Sequence, residues 1–134
     1  MSIAERIEGM LPYLRRYARA STGNTISGDA CVERVLQRIL DMSFDVDFDL
    51  ERFNRIELYT LLDEALDQLS QSRTAKARRA LLLIAVEGFQ ERTVCQILKV
   101  KRTELAELLD MAEQAFAETT ATCMLIVEDE PLIS

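Results

Sequence analysis

The segment from Ala80 to Phe116 constrains the fold of this chain more than any other segment. Its apolar residues recur three or four positions apart in three successive runs, which two short turns separate. The runs contain Leu81, Ile84 and Ala85, then Val94, Ile97 and Leu98, then Leu105, Leu108, Leu109, Ala112 and Phe116. This spacing predicts three helices that include a helix-turn-helix.

The last of these three helices has the wrong charge for reading DNA. It carries Glu104, Glu107, Asp110 and Glu113, and no Lys or Arg occurs from Thr103 onwards. Affinity for DNA comes largely from neutralising phosphates, so an acidic reading helix would be repelled. We therefore expect no nucleic-acid partner. The segment from Arg73 to Arg102 is basic and the segment after it is acidic. This polarity indicates a basic protein partner or an internal docking surface, unless these charges only solvate helix faces.

Composition favours an all-α protein with two small helical lobes. The 134 residues include 49% hydrophobic residues, only four Gly and two Pro, and the net charge is −7. We predict a first lobe with an acidic connector over residues 1–69 and a helix-turn-helix lobe over 70–119, with Ser72 as an N-cap. Residues 120–134 are predicted to be a linker followed by a short strand at the run CMLIV.

Local signals in the first lobe predict further breaks and caps. Gly9 and Pro12 predict a short leading helix followed by a longer one. Ser27 or Asp29 is the expected N-cap of the next helix. Residues 42–54 alternate between apolar and acidic, which is strand spacing. Because Asp is a poor strand former, we expect an extended acidic connector there.

The reactive residue types argue against an enzyme or a zinc site. The chain has no His, and its three Cys are widely spaced within apolar patterns. Catalysis would depend on scattered carboxylates on solvent-facing positions, so we expect no enzymatic activity. No apolar run is long enough for a signal peptide or a membrane span, so we expect a cytoplasmic protein with no membrane partner.

Three segments together resemble one protein family. LPYLRRYARA with the helix after it is similar to sigma factor region 2, and ALLLIAVEGF with Glu91 to Val100 is similar to region 4. LIVEDEPLIS resembles the start of a receiver domain. A sigma-like module before a receiver start resembles the output domain of PhyR-type anti-anti-sigma response regulators, which act in the general stress response.

This resemblance implies a function in partner competition. A sigma mimic of this type binds and sequesters a NepR-type anti-sigma factor, which releases an extracytoplasmic-function (ECF) sigma factor, and does not itself read promoter DNA. The resemblance also implies an intramolecular partner, the receiver domain of the intact protein. Two alternatives are a genuine ECF-type sigma factor and a DNA-binding helix-turn-helix regulator. A helix-turn-helix adaptor that dimerises through the same surface is a further possibility.

The resemblance also suggests interface and metal-binding residues. Leu108 and Met111 are favoured as contacts, because Leu105, Leu109, Ala112 and Phe116 already supply a core-facing stripe. The whole predicted partner interface is Ile7, Leu14, Arg15, Arg16, Tyr17, Glu104, Leu105, Glu107, Leu108 and Met111. Glu128 and Asp129 would bind Mg²⁺ only in an intact receiver domain, so no cofactor is expected in this chain.

Overall fold

The all-α prediction is confirmed. A computed structural model describes residues 3–44 and 54–129, with side chains for 5–44 and 54–117, and these residues contain no strand. The helices are α1 (Ile3–Thr22), α2 (Thr25–Met42), α3 (Arg55–Leu69), α4 (Arg73–Ala85), α5 (Glu91–Leu98) and α6 (Arg102–Asp129). The predicted connector falls mostly at 45–53, outside the described residues.

The first helix is continuous, so the predicted break at Gly9 and Pro12 is wrong. Pro12 lies inside α1 and is exposed to solvent. A proline in a helix interior removes one backbone hydrogen bond, and water can hydrate the carbonyl group left free on this exposed side. One turn further on, Leu14, Tyr17 and Ala18 are fully buried. Their burial offsets the local cost and keeps the helix in one piece.

Asn24, and neither Ser27 nor Asp29, caps the second helix. Its side-chain oxygen accepts hydrogen bonds from the backbone N–H of Ile26 at 2.8 Å and of Ser27 at 3.1 Å. Gly28, in the first two turns of α2, lies against the backbone of α1. A Cβ at this position would lie 2.7 Å from the backbone nitrogen of Arg19. The helix pair α1–α2 therefore depends on a glycine at its closest approach.

The second lobe contains the predicted helix-turn-helix. Ser72 caps α4 by accepting a hydrogen bond from the N–H of Ala75 at 3.1 Å, as predicted. Between α4 and α5, Gly88 has a φ of 75°. Lys99 ends α5 in the left-handed conformation, with φ 57° and ψ 48°, and α6 follows. A residue with a Cβ is strained there, so the turn has a cost that glycine would avoid.

The last helix extends further than the sequence predicts. Residues 123–127, predicted as a strand, lie inside α6. An apolar run of five does not by itself distinguish strand from helix, and a strand is stable only beside another strand. None of the described residues provides such a neighbour. The predicted division of the chain at residues 69 and 119 stays a prediction.

The two lobes pack against each other around a common core. Buried apolar residues from all six helices form one cluster. Helices α1 and α3 of the first lobe contact α4 and α5 of the second. No helix in the described part of the chain is both long enough and apolar enough to cross a membrane.

Candidate functional site

The contact between the lobes, here called the seam, holds the buried charges of this protein. It is formed by α1 and α3 on one side and by α4, the turn after it and α5 on the other. Its apolar part includes Tyr59 of α3, whose ring meets that of Phe89 edge-on at 5.0 Å between centroids. Tyr17 of α1 makes a similar contact with Tyr59 at 5.4 Å. Two polar clusters adjoin these rings.

The Arg79 cluster consists of Arg79, Asp63, Asp67 and Tyr17. Arg79 Nε donates to Asp63 Oδ1 at 2.7 Å, and its NH2 group donates to Asp67 Oδ1 at 2.9 Å. The Arg79 side chain is 2% exposed and that of Asp63 is 7% exposed. The Tyr17 hydroxyl lies 3.4 Å from Asp63 Oδ1. This cluster therefore connects α4 to α3 and, through Asp63, to Tyr17 of α1. Arg79 and Asp63 are shielded from water, whereas the Asp67 side chain is 46% exposed.

Burial shapes the protonation behaviour of the Arg79 cluster. Burial raises the pKa of Asp63, and the positive charge of Arg79 offsets that rise only in part. Burial by itself would lower the pKa of Arg79, but the Asp63 carboxylate raises it overall. The pKa of Tyr17 is also raised, first by burial and then by the Asp63 charge. Arg79 is therefore firmly charged, and Tyr17 stays a neutral donor.

The Glu87 cluster consists of Glu87, Arg16, Tyr59 and Arg55. The Glu87 side chain is 0% exposed and forms an ion pair with Arg16 of α1. The Tyr59 hydroxyl donates to Glu87 Oε1 at 2.8 Å. Arg55 donates to the Glu87 backbone carbonyl and lies 4.1 Å from the centroid of the Phe89 ring. Burial and this hydrogen bond to Glu87 raise the pKa of Tyr59 far above its usual value.

The two clusters differ in their access to solvent. Arg16 is 48% exposed, and its guanidinium lies 5.2 Å from the ring centroid of Tyr13, which is itself 52% exposed. Val86, adjacent to Glu87, is 48% exposed. The Glu87 cluster therefore reaches the surface beside exposed apolar side chains, whereas Arg79 and Asp63 do not.

A third contact across the seam is exposed. Glu64 of α3 accepts from Lys99 Nζ at 2.6 Å and from Arg38 NH1 at 3.0 Å. The hydrogen bond from Lys99 lowers the pKa of Glu64, and the one from Arg38 adds to this. Because the Lys99 side chain is 63% exposed and that of Arg38 is 56% exposed, these pairs contribute little to stability.

The outer face of α6 is acidic. Glu107, Asp110 and Glu113 are exposed and follow one another at intervals of three residues. Glu107 forms an exposed ion pair with Arg73 at 2.7 Å. Within α6 and the turn before it, the bases are confined to the beginning, at Lys101 and Arg102.

Four residues of the predicted partner interface are buried in the core of this structure, so their role as partner contacts stays a prediction. Leu14 and Tyr17 are each 1% exposed, Leu105 is 1% exposed and Leu108 is 0% exposed. The stripe of α6 that faces the core is Leu105, Leu108 and Ala112, whereas Phe116, predicted to be core, is 66% exposed. The core-facing stripe is therefore rotated from the predicted one.

The other six predicted residues keep some access to solvent. Arg15, Arg16 and Glu107 are exposed, and Ile7, Glu104 and Met111 are partly buried. Arg16 belongs to the seam, and Glu107 lies on the outer face of α6.

Sequence reasoning missed the buried charges Asp63, Arg79 and Glu87. A signal was present for two of them. Asp63 lies between Leu62 and Leu66 in the apolar pattern of α3, and Arg79 lies four residues before Leu83 in α4. An ionisable residue on an apolar stripe requires a buried partner, but the pattern does not say which residue it is.

The described residues offer no metal-binding group of three or more His, Cys, Asp or Glu. Glu128 and Asp129 lie in α6, so they do not follow a strand in this structure. The magnesium site that they would form in a receiver domain stays a prediction.

The fold defines a class of protein: two helical lobes, the second of which contains a helix-turn-helix. Family models give the same result. One described as the Sigma2 domain of PhyR matches residues 7–63, and one described as the sigma-like domain of the response regulator PhyR matches residues 71–118. The chain belongs to the PhyR family and matches its sigma-like part.

Individual relatives agree with this assignment. The chain is 38% identical over 150 aligned positions to the phyllosphere-induced regulator PhyR of Methylorubrum extorquens, in an alignment that covers 100% of this chain and 56% of that protein. Two crystal structures are also similar. The complex of the anti-anti-sigma factor PhyR with the anti-sigma factor NepR from Bartonella quintana has 33% identity and a TM-score of 0.68, over 88% of this chain and 50% of that one.

The second is the response regulator PhyR of Brucella abortus, with 35% identity and a TM-score of 0.66 over 85% of this chain and 44% of that one. This chain therefore spans about half the length of the relatives that it matches.

Proposed function

We propose that this chain is a sigma-factor mimic that binds a NepR-type anti-sigma factor and thereby releases an ECF sigma factor in the general stress response. The observation that carries the proposal is the acidic outer face of α6, at the position where a DNA-binding helix-turn-helix presents its reading helix. The helix-turn-helix scaffold is intact, but its exposed surface carries Glu107, Asp110 and Glu113.

Physical chemistry separates this function from promoter recognition. Each phosphate contact requires a positive or hydrogen-donating group, and carboxylates offer neither at neutral pH. A protein partner that recognises the sigma shape does not need bases on α6. The Bartonella quintana relative was crystallised with NepR, which supports a partner of that kind.

The proposed partner surface comprises the accessible members of the predicted set. These are Ile7, Arg15, Arg16, Glu104, Glu107 and Met111. Tyr13, whose ring lies beside Arg16, and Val86, adjacent in sequence to Glu87, are exposed apolar side chains that add to this surface. An exposed apolar patch rimmed by charge is typical of a protein interface.

The proposed location, the lack of catalysis and the second partner follow from the same proposed function. The chain acts as a binding module in the cytoplasm, without catalysis and without a cofactor of its own. In an intact regulator, a receiver domain is the second, intramolecular partner of this surface, and Glu128 and Asp129 belong to its magnesium site.

Calorimetric titration with a purified NepR-type anti-sigma factor tests the proposal. We expect saturable one-to-one binding without any phosphodonor. A gel-shift assay with a promoter duplex, with and without core RNA polymerase, tests the alternative of a genuine sigma factor. Promoter binding by the unmodified chain, or no heat of binding with the anti-sigma factor, would contradict the proposed function.

A further inference from the structure

The two polar clusters of the seam lie at different distances from the covalent link between the lobes. The link is short, residues 70–72, and leads directly into α4. Arg79 is in the middle of α4, and from there to the end of the helix is about 9 Å at the usual rise per residue. Glu87 lies beyond that end, in the turn that contains Gly88 at φ 75°. The Glu87 cluster is therefore at the end of the seam remote from the link.

In the cluster near the link the cation is buried and only Asp67 reaches solvent, at 46% exposure, whereas in the remote cluster the cation itself is exposed. Arg79 and Asp63 are both almost fully buried, and Arg79 uses two of its nitrogens to hold two carboxylates of α3. In the Glu87 cluster, the carboxylate is buried but its cation, Arg16, is half exposed. Arg55, which holds the same turn through a backbone carbonyl, is also exposed.

Loss of Arg16 has a specific consequence for Glu87. A carboxylate at 0% exposure without its cation is strongly destabilised, and the Tyr59 hydroxyl alone compensates for little of that. Hydration of Glu87 relieves this cost, and hydration requires that α4 and its following turn move away from α1 at the remote end and slide against α3, whose Tyr59 and Arg55 contact the same turn. The Arg79 cluster and the link can stay in place during that movement.

We propose that the seam is a hinge, with the Arg79 cluster as its fixed pivot and the Arg16–Glu87 ion pair as its releasable contact. Arg16 is then a positioning residue that sets the orientation of the helix-turn-helix lobe relative to the first lobe. A partner that contacts both lobes binds only one orientation, so Arg16 controls affinity through geometry. This last step depends on the proposed function, whereas the hinge itself does not.

Residual dipolar couplings measured by NMR test the hinge without any partner, because they report the relative orientation of α1–α3 and α4–α6. The variant Arg16→Gln is expected to keep each lobe folded but to change the orientation between them. The double variant Arg16→Gln with Glu87→Gln is expected to restore the wild-type orientation, since a neutral pair can stay buried without its charge. Arg55→Gln is expected to change the orientation of the lobes less than Arg16→Gln does, because Arg55 donates a hydrogen bond to a neutral backbone carbonyl.

Arg19→Gln is the matched control. Arg19 is on the same helix, is 44% exposed and forms an ion pair with Asp29 at 2.8 Å, entirely within the first lobe. Its couplings should remain those of the wild type. If Arg16→Gln unfolds the chain, Arg16→Lys takes its place, and a smaller shift in the same direction is expected.

Three results would overturn the hinge. They are unchanged couplings in the Arg16 variant, the same change in the Arg19 control, and no recovery in the double variant. Titration of the same variants with the anti-sigma factor then tests the functional step. We expect at least about tenfold weaker binding for Arg16→Gln, equivalent to about 1.4 kcal/mol. The double variant should recover only part of this loss, because Arg16 is itself a member of the proposed partner surface. If the wild type binds no anti-sigma factor, the proposed function is contradicted. The residual dipolar couplings still test the hinge in that case, because they need no partner.

Discussion

The seam and the outer face of α6 contain the same types of residue in opposite surroundings. At the seam, the carboxylates of Asp63 and Glu87 are buried, and each meets a specific arginine. On α6, the Glu107 side chain is 68% exposed, and its ion pair with Arg73 is open to water. The seam charges are therefore bound to one arrangement of the protein, whereas those of α6 remain available to a partner.

This difference predicts where substitutions affect stability and where they affect recognition. Removing one member of a buried pair leaves an uncompensated charge at low dielectric, which costs several kcal/mol. Removing one member of an exposed pair costs at most about 1 kcal/mol, because water and salt already screen it. Substitutions at matched positions can therefore test the contrast directly.

Arg79→Met should give the largest effect. It leaves Asp63 buried without its cation, and we expect a loss of about 3–5 kcal/mol in the free energy of unfolding. Arg78→Met is the control, because Arg78 is adjacent in sequence but exposed, and it should change stability by less than about 0.5 kcal/mol. Urea unfolding followed by circular dichroism measures both.

The same experiment can contradict this difference between buried and exposed charges. If both arginine variants lose equal stability, the buried cluster has no special role in the seam. Replacing both partners, as in Arg79→Met with Asp63→Leu, should recover much of the loss, because no buried charge remains. A double variant as unstable as Arg79→Met would mean that packing, and not charge, dominates at this site.

The second effect in size distinguishes a fully buried position of α6 from a partly buried one. Leu108→Ala removes a fully buried side chain and should cost about 2–5 kcal/mol. Met111→Ala removes a partly buried one and should cost about 1 kcal/mol or less. Thermal unfolding of the two variants gives the comparison. A larger loss for Met111→Ala would contradict the observed orientation of α6.

The fold could be predicted from sequence because its evidence is local. Helical spacing of apolar residues predicts α4, α5 and the first half of α6, and Ser72, as an N-cap, predicts the start of α4. Each of these signals depends on residues within one or two helical turns of one another.

The site could not be predicted to the same degree, because its evidence is long-range. The Arg16–Glu87 contact joins residues 71 positions apart, and the Tyr17–Asp63 contact joins residues 46 apart. The apolar residues of α6 cover a wide arc, and only packing against α4 shows that Leu108 faces inward and Phe116 outward. The sequence pattern alone placed these two residues the wrong way round.

A glycine pair extends the comparison from charge to shape. Gly28→Ala would place a Cβ against the backbone of α1, which cannot yield as a flexible side chain does, so we expect a loss of about 1–3 kcal/mol. Gly9→Ala meets nothing within 4 Å and lies inside α1, so it should gain about 0.5–1 kcal/mol. Chemical denaturation measures both. A stabilising Gly28→Ala would show that α1 and α2 are further apart than described.

The smallest effect concerns Lys99, where backbone strain and an exposed ion pair oppose each other. Lys99→Ala removes the contact with Glu64 and keeps the strained left-handed backbone, so it should lose less than about 1 kcal/mol. Lys99→Gly removes the same contact but also the strain, so it should be more stable than Lys99→Ala by about 1 kcal/mol. The difference between the two variants therefore measures the strain without the ion pair.

Denaturation at low and high salt separates the contributions of strain and ion pair further, since salt screens only the ion pair. Equal stability of the alanine and glycine variants would mean that the turn between α5 and α6 carries no strain, and that Lys99 contributes through its charge alone.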